Sequence, residues 1–253
     1  MQDIVVFDLV GPMAHFRKFY TNSSSLSYAF PPRTALMGIV AAILGWERDS
    51  YYDLLSPVKA RLAAAIKAPV RKTIQTVNYI RTTNINEVNG SGGGTQIPME
   101  ILLPAQEFTS LRYRVYFYHA DKEITGKLAA SLEEGKSRYP LYLGLSEFIA
   151  KPILVDLVSE KSIQEVQPGR EVEVVTVCNA QAIERLNFTG EGGDLQYIRE
   201  KAPQSFGPGR ELRPPVSIIY EKNQKKMRGI FKVPVYSLRY RAGEEEVVSF
   251  LEV

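Results

Sequence analysis

Residues 15–20 place ionisable side chains and aromatic rings next to one another in the chain. In order they are His15, Phe16, Arg17, Lys18, Phe19 and Tyr20. Guanidinium and ammonium groups bind phosphate, and aromatic rings can stack on nucleic-acid bases. This combination suits a phosphate-bearing ligand.

A short apolar helix is predicted soon after this cluster. Pro31 and Pro32 stop the preceding structure, and a proline fits the first helical turn because its missing N–H costs nothing there. The predicted helix runs over residues 34–46, with Gly45 as its C-cap. The free N–H groups of a helix start attract anions, and Arg33 lies there. The more common alternative is a core helix with an ordinary surface arginine.

Tyr118 and His119 are the candidate catalytic pair. Without a metal, a histidine and a tyrosine could activate a ribose 2′-hydroxyl and cut RNA by acid–base catalysis. A strand-end histidine with a satisfied hydrogen bond is the favoured alternative.

Residues 135–137 resemble the end of a P-loop but lack its spacing, so we reject that motif. The turn at 206–210, flanked by Arg210, is a weak candidate for close approach to a ligand.

One face of the predicted strand 111–119 is basic and aromatic. Its residues are Arg112, Arg114, Tyr116 and Tyr118. Such a face could stack bases or could cover the sheet against a partner. The pattern favours neither alternative.

The composition of the chain limits the classes of protein to which it can belong. The chain has 253 residues, a net charge of +3, one cysteine and two histidines. A metal centre built on cysteine or histidine is therefore not expected, and we predict neither a metal nor a cofactor. The N-terminus lacks a signal peptide, and no apolar run reaches membrane-spanning length, so we expect a cytoplasmic protein without a membrane partner.

The pattern in the first 150 residues predicts an α+β domain. We expect a second helical region at 51–66, ended by Pro69, and a helix from Asp121 to about Glu134. A polar excursion at 84–96 separates two predicted strands. Strands are predicted at 4–10, 71–82, 97–103 and 111–119, and residues 139–145 are predicted to form a strand or an extended segment. This order matches the β-α-β-β-α-β pattern of a ferredoxin-like, RRM-like fold.

Residues 151–253 are predicted to form a separate β-rich domain. The first domain would then be residues 1–150. Short strands are expected at 152–158, 171–178, 216–220, 229–235 and 246–253.

Three segments of the chain resemble a known family. They are residues 11–18, residues 28–45 and the Tyr-Pro-Leu-Tyr-Leu-Gly run that begins residues 139–148. Together they resemble CRISPR-associated protein family five of the RAMP superfamily, a subunit of type I Cascade complexes in antiviral defence. The pattern is most similar to I-B or archaeal-type members.

The resemblance implies a ferredoxin-like domain with a β-hairpin thumb at about 82–96 and a β-rich C-terminal domain. It also implies a non-catalytic subunit that binds the 5′ handle of the CRISPR RNA (crRNA) and caps the filament of backbone subunits. Its other partners would be the large subunit and, indirectly, target DNA. In the I-C branch the same subunit is a nuclease that uses a Tyr, a Lys and a His. Here Tyr118 stands before His119, where a lysine would be wanted.

The expected RNA-contacting residues follow from that resemblance and from residue chemistry. Cations would hold phosphates, Thr34 would offer a backbone N–H, and Gly144 would permit close backbone approach. We also expect Arg33→Ala to lower crRNA retention while leaving the fold intact. A metal-independent endoribonuclease and a purely structural assembly subunit stay open as alternatives. The full predicted set is His15, Arg17, Lys18, Tyr20, Tyr28, Arg33, Thr34, Arg81, Arg138, Tyr142 and Gly144.

Overall fold

The computed structural model describes residues 2–21, 24–105, 107–190 and 193–252. Within them are two α-helices, α1 (Arg33–Leu44) and α2 (Lys122–Glu133). The first eight strands are β1 (Ile4–Gly11), β2 (Phe16–Arg17), β3 (Ser27–Tyr28), β4 (Ala60–Ile66), β5 (Val70–Ile80), β6 (Gly94–Pro104), β7 (Leu111–His119) and β8 (Lys151–Val158).

Eleven shorter strands follow within the described residues. They are β9 (Ile163–Val166), β10 (Glu171–Val174), β11 (Cys178–Asn179), β12 (Ile183–Asn187), β13 (Thr189–Gly190), β14 (Gly193–Asp194), β15 (Tyr197–Ala202), β16 (Val216–Glu221), β17 (Met227–Phe231), β18 (Val235–Arg239) and β19 (Glu245–Val248). The expected mixed α+β architecture, with few helices and many strands, is confirmed.

A four-stranded antiparallel sheet lies at the centre, in the order β4-β7-β1-β8. Helices α1 and α2 pack on one face, where Phe7, Val115 and Leu36 belong to the main core. The opposite face carries Val6 and Tyr116 and packs against residues of β18 and β19. Because both faces are covered, β1 is an almost continuous apolar run rather than an alternating one.

The predicted cap residues are confirmed, one at the end of α1 and one at the start of α2. Gly45 caps α1 in the left-handed conformation, with φ of +77°. The side chain of Asp121 caps α2 by accepting a hydrogen bond from the N–H of Glu123. Each helix has 12 residues, and in the described part of the chain no helix is long and apolar enough to cross a membrane.

The predicted helical region at 51–66 is wrong, because residues 60–66 form strand β4. The alanines there favour a helix locally, but the tertiary context overrides that weak preference. Leu62 and Ala64 pack into the main core, whereas Ala63 and Ala65 face the opposite cluster. Small side chains let layers on both sides approach the strand closely.

Of the two alternatives for residues 139–145, the strand is wrong. This segment contributes only an isolated bridge, between Tyr142 and Ile149. The fourth strand of the sheet is β8, which pairs with β1 from Ile4↔Val158 to Val10↔Lys151. The expected domain boundary between residues 150 and 151 therefore lies directly before β8, which belongs to the central sheet.

Strands β5 and β6 form a long hairpin separate from the central sheet. Their ladder runs from Val70↔Pro104 to Ile80↔Gly94. The polar excursion at 84–96 includes the end of this hairpin, where the side chain of Asn84 caps a short 3-10 turn over Ile85–Asn89. Bridges from Ala14 to Leu102 and from Ser25 to Met99 connect the hairpin to the loop after β1.

The remaining strands form small sheets that fold back onto the first part of the chain. Three of these sheets have the orders β10-β17-β12, β11-β16-β15 and β19-β18-β9. The outer edge of β4 is covered, because Val177 N–H donates to Ala64 and Leu251 N–H donates to Leu62, each at 2.9 Å. The main core includes Val177 and Leu251, so the two parts of the chain share one apolar interior.

Candidate functional site

A groove opens where five distant segments meet. It encloses about 460 Å³. The segments are the loop after β1, the start of α1, the outer part of β5, residues 144–145 and residues 203–212. Its lining includes Arg17, Phe19, Thr34, Tyr79 and Arg210.

The start of α1 forms one wall of this groove. Pro32 is the N-cap residue, and among the described residues no side chain caps the helix or places an acidic group in its first turn. Thr34 and Ala35 of that first turn line the groove. The N–H of Ala35 donates to the carbonyl of Pro32 at 2.9 Å, so this turn presents the N–H of Thr34 and the partial positive charge of the helix start to the groove.

Two arginines add full positive charge to the same groove. Arg17 is exposed, and one of its nitrogens donates to the carbonyl of Thr21 at 3.1 Å. Arg210 follows Gly209 in a turn and lies 3.7 Å from Asp49, with both side chains substantially exposed. An exposed pair of this kind is weak, so Arg210 can exchange it for a phosphate.

Aromatic rings stand at the rim. Phe19 is 40% exposed and Tyr79 is 44% exposed, although both are large rings that would normally be covered. Tyr20, beside Phe19, is also exposed, and the two rings meet edge to face with centroids 5.1 Å apart. Exposed rings beside cations are the surfaces on which single-stranded bases stack.

Arg33 is not at the surface. It is 2% exposed. Its Nε donates to the carboxylate of Glu252, Nη1 donates to the carbonyl of Gln204 at 3.0 Å, and Nη2 donates to the carbonyls of Leu55 and Ala60 at 2.8 and 3.2 Å. The expectation of a phosphate-binding arginine there is corrected: its donors already serve the fold. The expectation that Arg33→Ala leaves the fold intact is corrected for the same reason.

Lys18 and Tyr28 are also engaged inside the protein. Lys18 Nζ lies 2.7 Å from the Glu200 carboxylate, and both side chains are nearly covered. Tyr28 is fully buried and donates its hydroxyl proton to the carbonyl of Lys201. The structure therefore corrects the expected RNA contacts of Lys18 and Tyr28, since both side chains are engaged within the fold. Lys18 connects the segment after β2 to strand β15, and Tyr28 connects β3 to the same strand.

His15 lines the groove but has partners for both ring nitrogens. Nδ1 lies 2.7 Å from the carbonyl oxygen of Glu100, and Nε2 lies 2.8 Å from the hydroxyl of Ser25. Burial lowers the pKa of His15, and nearby Arg17 acts in the same direction against the opposing pull of Glu100. His15 is therefore neutral at neutral pH and cannot serve as an extra cation for phosphate.

Gly144 does permit a close approach, but to the chain itself. Its φ is +95°, and a Cβ at this position would overlap the carbonyl oxygen of His15. The glycine thus lets the loop of residues 141–150 lie directly against the groove-lining segment. Gly144 itself lines the groove beside Leu145.

The other predicted contacts lie elsewhere. Arg81, Arg138 and Tyr142 are exposed, but they are not among the described residues that line the groove. Arg138 packs its aliphatic stem near Gly45, at the opposite end of α1. The structure brings together His15, Arg17, Thr34 and Gly144 of the predicted set, and adds Phe19, Tyr79 and Arg210.

A family model described as CRISPR-associated protein (Cas_Cas5) matches residues 4–210. The chain belongs to this family. The match covers both helices, the central sheet, the β5–β6 hairpin and every segment of the groove up to Arg210.

Two solved structures share the fold. One is a CRISPR protein from Archaeoglobus fulgidus, at 13% identity and a TM-score of 0.56, covering 97% of this chain and 99% of that one. The other belongs to a CRISPR RNA-guided surveillance complex, at 14% identity and a TM-score of 0.52, covering 90% and 91%. No curated protein matches the chain.

In this Cas5-family chain, His119 of the Tyr118–His119 pair is held inside the fold by its own hydrogen bonds. His119 is buried; its Nε2–H donates to the carbonyl of Leu54 and its Nδ1 accepts from the N–H of Asp121, both at 2.9 Å. Tyr118 is half-buried and packs beside the second apolar cluster. The favoured alternative, a strand-end histidine with satisfied hydrogen bonds, is confirmed, since both ring nitrogens have partners within the fold.

The basic-aromatic face of β7 is engaged within the chain, with Arg112 at its exposed end and Tyr116 buried against β19. Arg114 Nε donates to Asp8 at 2.8 Å and Arg112 donates to the same carboxylate at 3.1 Å. Tyr116 donates its hydroxyl proton to Glu246 of β19 at 2.7 Å. Neither a base nor another subunit can reach Tyr116, so this face stabilises the contact between the two parts of the molecule.

Phe19, Tyr79 and Arg210 are among the groove residues that the predicted set lacks. Phe19 belongs to the initial cluster, and its exposure is what separates it from its buried neighbour Phe16. Tyr79 gave only the signal of an aromatic residue in a strand that mixes polar and apolar side chains. Arg210 flanks a Gly-Pro-Gly turn, a signal too common to identify it alone. Among the described residues, no cluster of three or more His, Cys, Asp or Glu side chains is arranged for a metal ion.

Proposed function

We propose that the chain is the subunit of a type I CRISPR interference complex that binds the 5′ handle of crRNA. The observation that carries the proposal is the groove. It combines two exposed arginines, an uncapped helix start and exposed aromatic rings in one cavity. These groups provide phosphate contacts and base stacking, the two interactions used for single-stranded RNA.

We infer that the first part of the chain is a ferredoxin-like domain. Its elements follow the order β1, α1, β4, β7, α2, β8, and both helices lie on one face of the antiparallel sheet. This is the β-α-β-β-α-β arrangement. The hairpin β5–β6 is inserted between the second and third strands of that pattern, and we propose that it is the thumb, with residues 82–96 near its tip.

The proposed thumb carries exposed apolar side chains. Ile74, Ile80, Ile85 and Val88 are large and apolar, and this chain leaves them uncovered. Exposed apolar side chains grouped on one projecting element mark a contact with another molecule. We propose that the backbone subunit covers them, so that this chain caps the backbone filament.

The large subunit would contact other surfaces of the chain, and target DNA would be met only indirectly, through the RNA. A net charge of +3 fits a protein that holds one short RNA segment and otherwise meets proteins. The burial of His119, with both ring nitrogens occupied, supports a binding role over the endoribonuclease alternative.

Binding of single-stranded repeat RNA by the full chain tests the proposal. Removing both groove cations with Arg17→Ala and Arg210→Ala should weaken binding and make it less dependent on salt. Each lost phosphate contact lowers the slope of log affinity against log salt by about 0.7 for a single strand. Arg170→Ala, at an exposed turn away from the groove, is the matched control. Equal affinity and equal slope in the double variant would contradict the proposal.

A further inference from the structure

The most buried polar pair of the groove is His15 and Ser25. His15 is 2% exposed and Ser25 is 9% exposed, whereas the rings at the rim are largely open. Both residues line the groove, and Ser25 Oγ lies 2.8 Å from His15 Nε2. A polar pair at this depth meets the part of a ligand that enters furthest.

The direction of this hydrogen bond follows from the partner on the other side of the ring. His15 Nδ1 lies 2.7 Å from the carbonyl oxygen of Glu100, which can only accept. Nδ1 must therefore carry the proton. In the neutral imidazole Nε2 is then the acceptor, so the Ser25 hydroxyl donates its only proton to His15.

Backbone hydrogen bonds also hold Ser25 in position. Its N–H donates to Pro98 at 3.0 Å, and its carbonyl accepts from the N–H of Glu100 at 2.8 Å. The residue is thus attached on both sides to strand β6 of the hairpin. Because the hydroxyl proton of Ser25 is donated to His15, only the lone pairs of Ser25 Oγ are left for a ligand. The Ser25 hydroxyl can therefore accept a hydrogen bond from a ligand but cannot donate one.

We propose that Ser25 is a specificity-determining residue that accepts a hydrogen bond from the exocyclic amine of a nucleobase held in the groove. The proposal deepens the RNA-binding function above and rests on it. Adenine, cytosine and guanine carry such an amine. Uracil does not: its one ring N–H lies between two carbonyl oxygens, which the lone pairs of Ser25 would repel. Phe19 and Tyr79 would stack on the same base or its neighbour.

The test compares two short RNA homopolymers that differ only in the amine. One is oligoadenosine and the other is oligo(purine riboside), which lacks the exocyclic nitrogen. The full chain should bind oligoadenosine about tenfold more tightly, as expected for one lost hydrogen bond at a desolvated acceptor. Ser25→Ala should bind the two RNAs equally, and Ser25→Thr, which keeps the hydroxyl, should restore the difference.

Each other outcome has a definite meaning. Equal binding of the two RNAs by the unaltered chain would overturn the role of Ser25 and leave the RNA-binding function standing. An undiminished difference in Ser25→Ala, with an unchanged melting temperature, would overturn it too. Failure of the folded chain to bind either RNA would contradict both proposals.

Discussion

Arg33 and Glu252 form a buried ion pair that joins the start of α1 to the C-terminal end of the chain. Their side chains are 1% and 6% exposed. Glu252 also accepts hydrogen bonds from the N–H of Leu62 in β4, so one carboxylate ties together a helix, a central strand and the C-terminus. The carbonyl of Gln204, which Arg33 holds, belongs to the segment that forms a wall of the groove.

Replacing Arg33 with alanine is predicted to destabilise the protein by about 3–5 kcal/mol, because a buried carboxylate would lose its partner. Urea unfolding followed by circular dichroism measures this change. Arg17→Ala is the matched control, since Arg17 is an exposed arginine of the same groove, and it should change stability by less than about 0.5 kcal/mol. A stable Arg33→Ala protein that fails to bind RNA would instead support direct RNA contact.

Replacing Gly144 with alanine is predicted to cost more than the same change at another glycine of positive φ. At Gly144 the new methyl group would add a clash with the carbonyl of His15 to the backbone strain of about 1–3 kcal/mol. Gly243 has a φ of +89°, and a Cβ there would meet no neighbouring atom of the described residues within 4 Å, so Gly243→Ala isolates the strain. Equal melting temperatures for the two variants would show that the loop moves aside without cost.

Glu246 is predicted to contribute stability that acid removes. Burial alone would raise the pKa of Glu246, but hydrogen bonds from Lys67, Tyr240 and Tyr116 outweigh it and hold the pKa at about 2. Because the folded state keeps this carboxylate charged below the usual value of 4.5, the contribution is full above about pH 4.5 and is lost as pH falls towards 2.

The measurement for Glu246 is the free energy of unfolding against pH for the natural chain and for Glu246→Gln. The gap between the two curves should be largest above pH 4.5 and should narrow below it. Other acidic groups are common to both proteins and cancel in the difference. A gap that does not change with pH would contradict the assigned role.

His119→Asn is predicted to lower stability without changing RNA binding. Asparagine cannot preserve both buried hydrogen bonds of the ring, to Leu54 and to Asp121, so a loss of about 1–3 kcal/mol is expected. Thermal unfolding and RNA affinity measured on the same preparation separate the two effects. Loss of an RNA-cutting activity in this variant would restore the nuclease alternative.

The sequence predicts correctly those elements that depend on residues close together in the chain. Strand β7, the Asp121 cap of α2 and the Gly45 cap of α1 depend on residues close together in the chain. Strand β4 was not predicted, because its alanines fit between packed layers on both sides of the strand. Those layers come from segments remote in the sequence. Local propensity cannot reveal such a requirement.

The candidate site was predicted only in part for the same reason. A cation is available to a ligand only if it is exposed and no buried carboxylate of the same chain holds it, and the buried partner of Arg33 lies at position 252. The groove itself joins Arg17, Tyr79 and Arg210, which no sequence motif links. The motifs did identify two segments that line the groove, the loop after β1 and the start of α1.

Ultraviolet cross-linking of crRNA in the assembled complex, followed by mass spectrometry of the peptides, tests RNA binding in the groove most directly. We expect cross-links on Phe19 or Tyr79, the exposed rings of the groove. Tyr139 and Tyr142 are similarly exposed rings outside it and serve as internal controls. Cross-links confined to those two tyrosines, with the groove peptides unmodified, would contradict RNA binding in the groove.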